Sequence, residues 1–122
     1  MNDERIWSFE RDLWTGGPDV YREKVSEECL MALPEEPYVF AAKDAIAAVE
    51  NTPRWERVDF EDQRVSRPEE GLIVISYRAK AVRGDETYHA LCTSVLRRLG
   101  PEDWEVVQHQ QTPFATEIAE PT

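Results

Sequence analysis

The hydrophobic period of this chain changes at Pro53. Before it, most apolar residues recur at helical spacing; after it, four long runs follow the period of two of a strand. Ile6, Phe9 and Leu13 predict a helix over 3–14, with Trp7 and Trp14 on its flank and Asn2 or Asp3 as cap. Gly16-Gly17-Pro18 stops it, and Pro18 opens a short helical turn carrying Val20 and Tyr21. One strand is expected over 27–33, closed by Pro34 and Pro37, then an Ala-rich helix over 42–51 with Asp44 near its start. Strands are predicted over 55–66, 71–82, 87–99 and 104–112. Their links, such as Arg83-Gly84-Asp85 and Gly100-Pro101-Glu102-Asp103, are too short for anything but antiparallel hairpins. Helices followed by a meander give an α+β fold, with N-terminal helices packed on a curved antiparallel sheet. A single domain over 1–114 and a frayed tail over 115–122 are expected, since the last residues carry little apolar content.

Charge excludes some functions. Fourteen basic residues face 25 acidic ones, a net charge of −11. A nucleic-acid partner needs a basic footprint, and an anionic membrane surface repels the same field. No apolar run reaches the ~18–20 residues of a membrane span. The N-terminus, acidic from Asp3 onward, lacks the apolar region of a secretory signal, so a cytoplasmic location is expected. Cys29 and Cys92 read as buried thiols in a reducing compartment, with a bridge or a catalytic thiolate as alternatives. Arg83-Gly84-Asp85 is a turn in which glycine supplies the positive φ, not an adhesion signal.

The last strand is unusual: Trp104-Glu105-Val106-Val107-Gln108-His109-Gln110-Gln111-Thr112-Pro113 turns polar along its length. An edge strand facing water would do this; so would a strand lining a pocket. Alternation sorts it into Val107, His109, Gln111 on one face and Trp104, Val106, Gln108, Gln110, Thr112 on the other.

Read together, Leu13-Trp14-Thr15-Gly16-Gly17, Tyr21, Pro53-Arg54-Trp55, Ser76-Tyr77-Arg78-Ala79 and that closing strand resemble the nuclear transport factor 2-like superfamily. It is the cone-shaped, cystatin-like α+β fold of ketosteroid isomerases and polyketide cyclases (the SnoaL-like proteins among them), and the likeness is to its bacterial branch of unknown function. The order and spacing of these segments, over about residues 4–114, carry the resemblance. It implies a pocket between helices and sheet, and a homodimer through the outer sheet face. It also implies that the residue seven after the final Trp, Gln111, points into the pocket.

From that placement Val107 and His109 share the inner face, with His89, Leu91, Thr93 and Val95 inward on the preceding strand. A three-residue turn at 83–85 puts Tyr77 opposite Leu91. The expected ligand-binding set is then Tyr77, Thr93, His109 and Gln111, with His89 near the mouth and Trp14, Tyr21, Met31 and Trp55 as an aromatic and apolar wall. His109 has three open roles: a satisfied inner histidine, a ligand contact, or a general base. No Asp or Glu stands out on the inner strand faces, Glu105 being the nearest, and Asp12 or Asp44 reaches His109 only by packing. Neither HxH nor HxxxH occurs, so no metal site is expected, and no cofactor motif is present.

The leading expectation is a domain that binds a small, neutral or weakly polar organic molecule. The alternatives are a cofactor-independent isomerase, dehydratase or cyclase using His109 with Tyr77, and an interaction module with a vestigial cavity.

Overall fold

The computed structural model describes residues 1–115. The elements are α1 (Asp3–Thr15), α2 (Pro18–Lys24), β1 (Val25–Ala32), β2 (Val39–Ala41), α3 (Ala42–Asn51), β3 (Arg57–Glu69), β4 (Leu72–Arg83), β5 (Glu86–Gly100) and β6 (Asp103–Pro113). Most of the expected frayed tail, residues 116–122, lies outside the described residues.

Each helix starts for a local reason. The Asn2 side chain accepts from the Arg5 amide at 2.8 Å and caps α1. Pro18 occupies the first turn of α2, where its missing N–H costs nothing. The Asp44 carboxylate accepts the Ala41 amide at 3.0 Å where β2 runs directly into α3. β2 is absent from the sequence expectation; three residues are too short for a periodic signal.

The three helices pack on one face of a six-stranded sheet of order β2-β1-β6-β5-β4-β3. The meander β3 to β6 is antiparallel, as the short links require. The whole sheet is mixed, however, because β1 runs parallel to β6. The chain leaves β2 through α3 and re-enters the sheet at the far edge, so β1 and β6 meet without a hairpin between them. Short links say nothing about such a pair. The core is Ile6 and Leu13 of α1, Ala45 and Val49 of α3, and Ile73, Ile75, Leu96 and Val106 on the inner sheet face.

Two details of register position everything that follows. Arg83 pairs with Glu86, so the β4–β5 turn has two residues, Gly84 and Asp85, not three. Gly84 takes the positive φ of +56°. Tyr77 therefore pairs with Cys92, not Leu91. In β6, Val106 pairs with Leu96 and Gln108 with Val95, leaving Val107 as an inserted residue. That bulge resets the alternation, so Val106 and His109 are both buried.

The α1–α2 corner depends on one of its two glycines. A Cβ at Gly16 would lie 2.6 Å from the Asp12 carbonyl oxygen and 2.7 Å from Val20, whereas one at Gly17 meets nothing within 4 Å. Gly16→Ala is expected to lower stability in urea unfolding by about 2 kcal/mol through overpacking, and Gly17→Ala by no more than ~0.5 kcal/mol. Equal effects would show that the corner does not rest on this close approach.

Candidate functional site

The buried stripe of α1 is Ile6, Phe9, Glu10, Leu13 and Trp14, the i, i+3, i+4, i+7, i+8 face of a helix. One of its members is a carboxylate. Glu10 is completely buried, so its charge must find donors. The Tyr77 hydroxyl donates to Glu10 Oε2 at 2.5 Å and the Ser94 hydroxyl to the same oxygen at 2.6 Å. Trp14 Nε1–H donates to the Tyr77 oxygen at 3.0 Å. His109 Nδ1 lies 2.7 Å from Ser94 Oγ and 3.4 Å from Glu10 Oε2. On the other side of the ring, Gln111 Nε2 lies 3.0 Å from His109 Nε2, and the Tyr88 hydroxyl donates to Gln111 Oε1 at 3.0 Å.

The proton order in this chain can be deduced. Ser94 has one hydroxyl hydrogen and gives it to Glu10, so its oxygen receives Nδ1–H from His109. Gln111 accepts from Tyr88 through Oε1, so its NH2 faces His109 and Nε2 of the ring accepts. Every bond then points toward the carboxylate. In this network only Glu10 Oε1 has no partner among the described residues. Burial first, and the neighbouring Glu10 second, push the Tyr77 phenol well above its ordinary pKa, so it stays a donor at neutral pH. Its ring is gripped by Phe60 at 4.5 Å and, edge-on, by Trp7 at 5.6 Å between centroids.

A cavity of about 260 Å³ opens beside this network. Leu13, Trp14, Tyr21, Met31, Val49, Trp55 and Tyr88 give it apolar and aromatic walls, and Arg54 and Gln111 give it polar groups. Trp55 stacks on Tyr88 at 5.5 Å and 13°, and the Arg83 guanidinium lies 4.3 Å over the Trp55 ring. Arg54 is a clamp. Its Nε donates to the Gly16 carbonyl at 2.7 Å and its Nη2 to the Leu13 carbonyl at 2.5 Å. It thereby supplies the cation that the last turn of α1 lacks. The Tyr21 hydroxyl donates to the same Leu13 carbonyl at 2.7 Å. A second, larger depression of about 440 Å³ lies between the helices and the β5–β6 turn. It has no link to the buried chain, and its Arg5 is paired with Glu102 at 2.6 Å.

This architecture recurs among solved structures. A nuclear transport factor 2-like protein from Cytophaga hutchinsonii superposes with a TM-score of 0.73 at 17% identity, over 93% of this chain and all of that one. One of unknown function from Prochlorococcus gives 0.75 at 12% identity, over 96% of this chain and 97% of that one. A provisionally assigned ketosteroid isomerase from Parabacteroides distasonis gives 0.76 at 16% identity, over 91% and 86%. The chain has the nuclear transport factor 2-like fold. No family model and no curated protein matches its sequence.

Within this nuclear transport factor 2-like cone, the predicted site residues divide three ways. Trp14, Tyr21, Trp55 and Gln111, with the wall residue Met31, line the cavity together. Tyr77 and His109 are 2% exposed and sit behind it, in the buried chain. His89 and Thr93 are on the opposite sheet face. Gln111 and Tyr77 both pair with Cys92, so Tyr88, Ala90, Cys92 and Ser94 face inward and the residues between them do not. Thr93 instead donates to Gln110 at 3.1 Å, and His89 packs near Phe114.

Glu10, Ser94, Arg54 and Tyr88 were not in the predicted set. For Glu10 a signal existed: it occupies the apolar stripe of α1, where a carboxylate has no reason to be unless it is partnered. The interior is thus not free of charge, contrary to what the sequence suggests. Neither Asp12 nor Asp44 approaches His109; Asp12 pairs with Lys24 at 3.2 Å and Asp44 caps α3. Both cysteines are free and buried, and burial pushes the Cys29 thiol up to about 12, far from a reactive thiolate. Among the described residues, no helix is long and apolar enough to cross a membrane.

Glu10→Ala strands the Tyr77 and Ser94 donors in the core and is expected to cost about 3 kcal/mol or more in urea unfolding. Glu10→Gln keeps one oxygen able to accept both bonds, and its loss should be smaller by about 1 kcal/mol or more. Equal losses would mean that the carboxylate packs there without organising the network.

Proposed function

We propose that this chain is a small-molecule-binding domain whose ligand occupies the cavity between the helices and the sheet. The observation that carries this is the cavity itself: aromatic and aliphatic walls interrupted by charged and polar side chains, one of which, Gln111, is joined to a fully buried hydrogen-bond chain. At about 260 Å³ it is near the lower end of ligand pockets, which run to ~300–1,000 Å³, so the ligand is small. Walls held by Arg54, Tyr21 and the Trp55–Tyr88 stack are preorganised, which lowers the entropic cost of binding.

Acid–base catalysis at His109 with Tyr77 is the weaker reading. Both ring nitrogens of His109 are hydrogen-bonded, the Tyr77 hydroxyl serves Glu10 and Trp14, and neither residue lines the cavity. A general base needs reach to a substrate proton. An interaction module with a vestigial cavity fits less well too, because the side chains of the described residues leave about 260 Å³ open.

A screen of small aromatic compounds by thermal shift is expected to give hits that raise Tm, and Trp55→Ala or Gln111→Ala should remove the rise. A broad library without a single hit would count against a binding role.

Assembly as a homodimer through the outer sheet face belongs to the same proposal. Leu30 on β1 and Leu91 on β5 are exposed there, at 58% and 41%. Light scattering at micromolar concentration should read twice the 14.1 kDa of one chain; a monomer would overturn the dimer. A reducing, cytoplasmic location suits two free buried thiols.

A further inference from the structure

Arg54 is the half-buried cation of the cavity wall, and among the described residues it forms no ion pair. One edge of its guanidinium, Nε with Nη2, is held by the Gly16 and Leu13 carbonyls. Nη2 also lies 3.4 Å from the Tyr21 hydroxyl. Nη1, on the other edge, has no hydrogen-bond partner among the described residues, yet it is not among the buried polar atoms left unsatisfied. Its donors are therefore accessible, on a residue that lines the cavity. The end of α1 contributes only a partial negative charge, roughly half an elementary charge, and neutral carbonyls do not discharge a guanidinium.

Arg83, the other arginine of the wall, is differently placed. Its Nε and Nη2 engage Glu86 and its Nη1 donates to the Pro53 carbonyl, so each of its nitrogens has a partner and its charge is paired. Of the two arginines of the wall, Arg54 is the one with no ion pair among the described residues and with a guanidinium nitrogen, Nη1, left without a partner there.

We infer that the cavity takes a small carboxylic acid, its carboxylate on the Nη1 edge of Arg54 and its apolar body against Trp55, Tyr88 and Val49. This rests on the binding role proposed above and names the chemistry of the ligand. A carboxylate matches the donor geometry of a guanidinium, and the pair gains strength away from water. A dianion such as a phosphate monoester is disfavoured, because Glu35 and Glu86 also border the cavity. The inference departs from the neutral or weakly polar ligand expected from the Tyr, Thr, His and Gln residues that the sequence places in the pocket. The protein's net charge of −11 slows arrival of an anion but does not set the local field at Arg54.

The test compares 3-phenylpropanoate with 3-phenylpropanamide, one size and shape with and without charge, by calorimetry or ligand-observed NMR at pH 7 in low salt. The carboxylate should bind at least tenfold more tightly than the amide. That ratio should fall toward one in Arg54→Gln and persist in Arg83→Gln. Since Arg54 also holds the end of α1, its loss lowers stability. If Arg54→Gln does not fold, Arg54→Lys, which keeps the charge without the fork, should retain part of the preference. In the wild type, 0.5 M salt should shrink the ratio several-fold. An amide that binds as well as the carboxylate would overturn the acid while leaving the binding cavity standing. A preference that survives Arg54→Gln and vanishes in Arg83→Gln would also overturn it. Failure of both compounds, and of the wider screen, would remove the cavity's binding role and this inference with it.

Discussion

The carboxylate of Glu10 is where the helical layer and the sheet are tied together. Packing alone leaves a helix free to slide or rotate on a sheet by small amounts, because apolar contact is non-directional. Hydrogen bonds to a buried charge are directional and costly to break. Glu10 on α1 gathers Tyr77 from β4 and Ser94 from β5, and Ser94 carries His109 from β6. Three adjacent strands are thus set in register against one turn of α1. Trp14, one turn further along, closes the loop onto Tyr77. A buried carboxylate is an expensive way to hold a core together, and its usual justification is specificity rather than stability. Here the specific outcome is the position of Trp14, Tyr88 and Gln111, the three members of the chain that reach both the network and the cavity.

The cavity is a consequence of how α1 ends. Gly16 allows a tight corner, and α2 turns back beneath it. Arg54, from the segment before β3, then fastens the exposed carbonyls of α1. The cation needed at a helix C-terminus comes from far along the chain instead of from the last turn of the helix. From that place it also lines the cavity, beside residues of α1, α3 and β5. The apolar wall and its one open cation are therefore products of a single structural solution.

The period change at Pro53 was enough to read the layers, and the hairpin links were enough to read the meander. What escaped was whatever depends on counting one residue. The β4–β5 turn uses two residues, not three, which moves Tyr77 from Leu91 to Cys92 and sends His89 and Thr93 to the outer face. The bulge at Val107 offsets half of β6, so the alternation that placed His109 and Gln111 correctly inside misplaced Val107 in favour of Val106. A register error of one inverts every side chain of a strand, whereas a helix boundary error of one moves little. The parallel β1–β6 pair escaped for another reason: no local signal relates strands that are not joined by a turn. Cavity-wall aromatics on helices and loops, Trp14, Tyr21 and Trp55, were legible because their placement does not depend on strand parity.

Glu10 stands on α1, where the strand alternation that sorts the inner sheet face says nothing of it. Its position at i+4 from Ile6, between Phe9 and Leu13, marks it as inward by the same periodicity that marks its apolar neighbours. An ionisable residue on an apolar stripe carries more information than the stripe does. Apolar residues there report only that a core exists, but the charge reports that particular donors must meet it. Tyr77 and Ser94 are such donors, His109 reaches the charge through Ser94, and each is inward by the register that Cys92 and Leu96 define. The buried acid could thus serve as a parity test for the whole sheet. Of the possible alignments of β4, β5 and β6, only those that turn Tyr77, Ser94 and His109 toward α1 leave its carboxylate paired, and a two-residue turn with one bulge satisfies that condition.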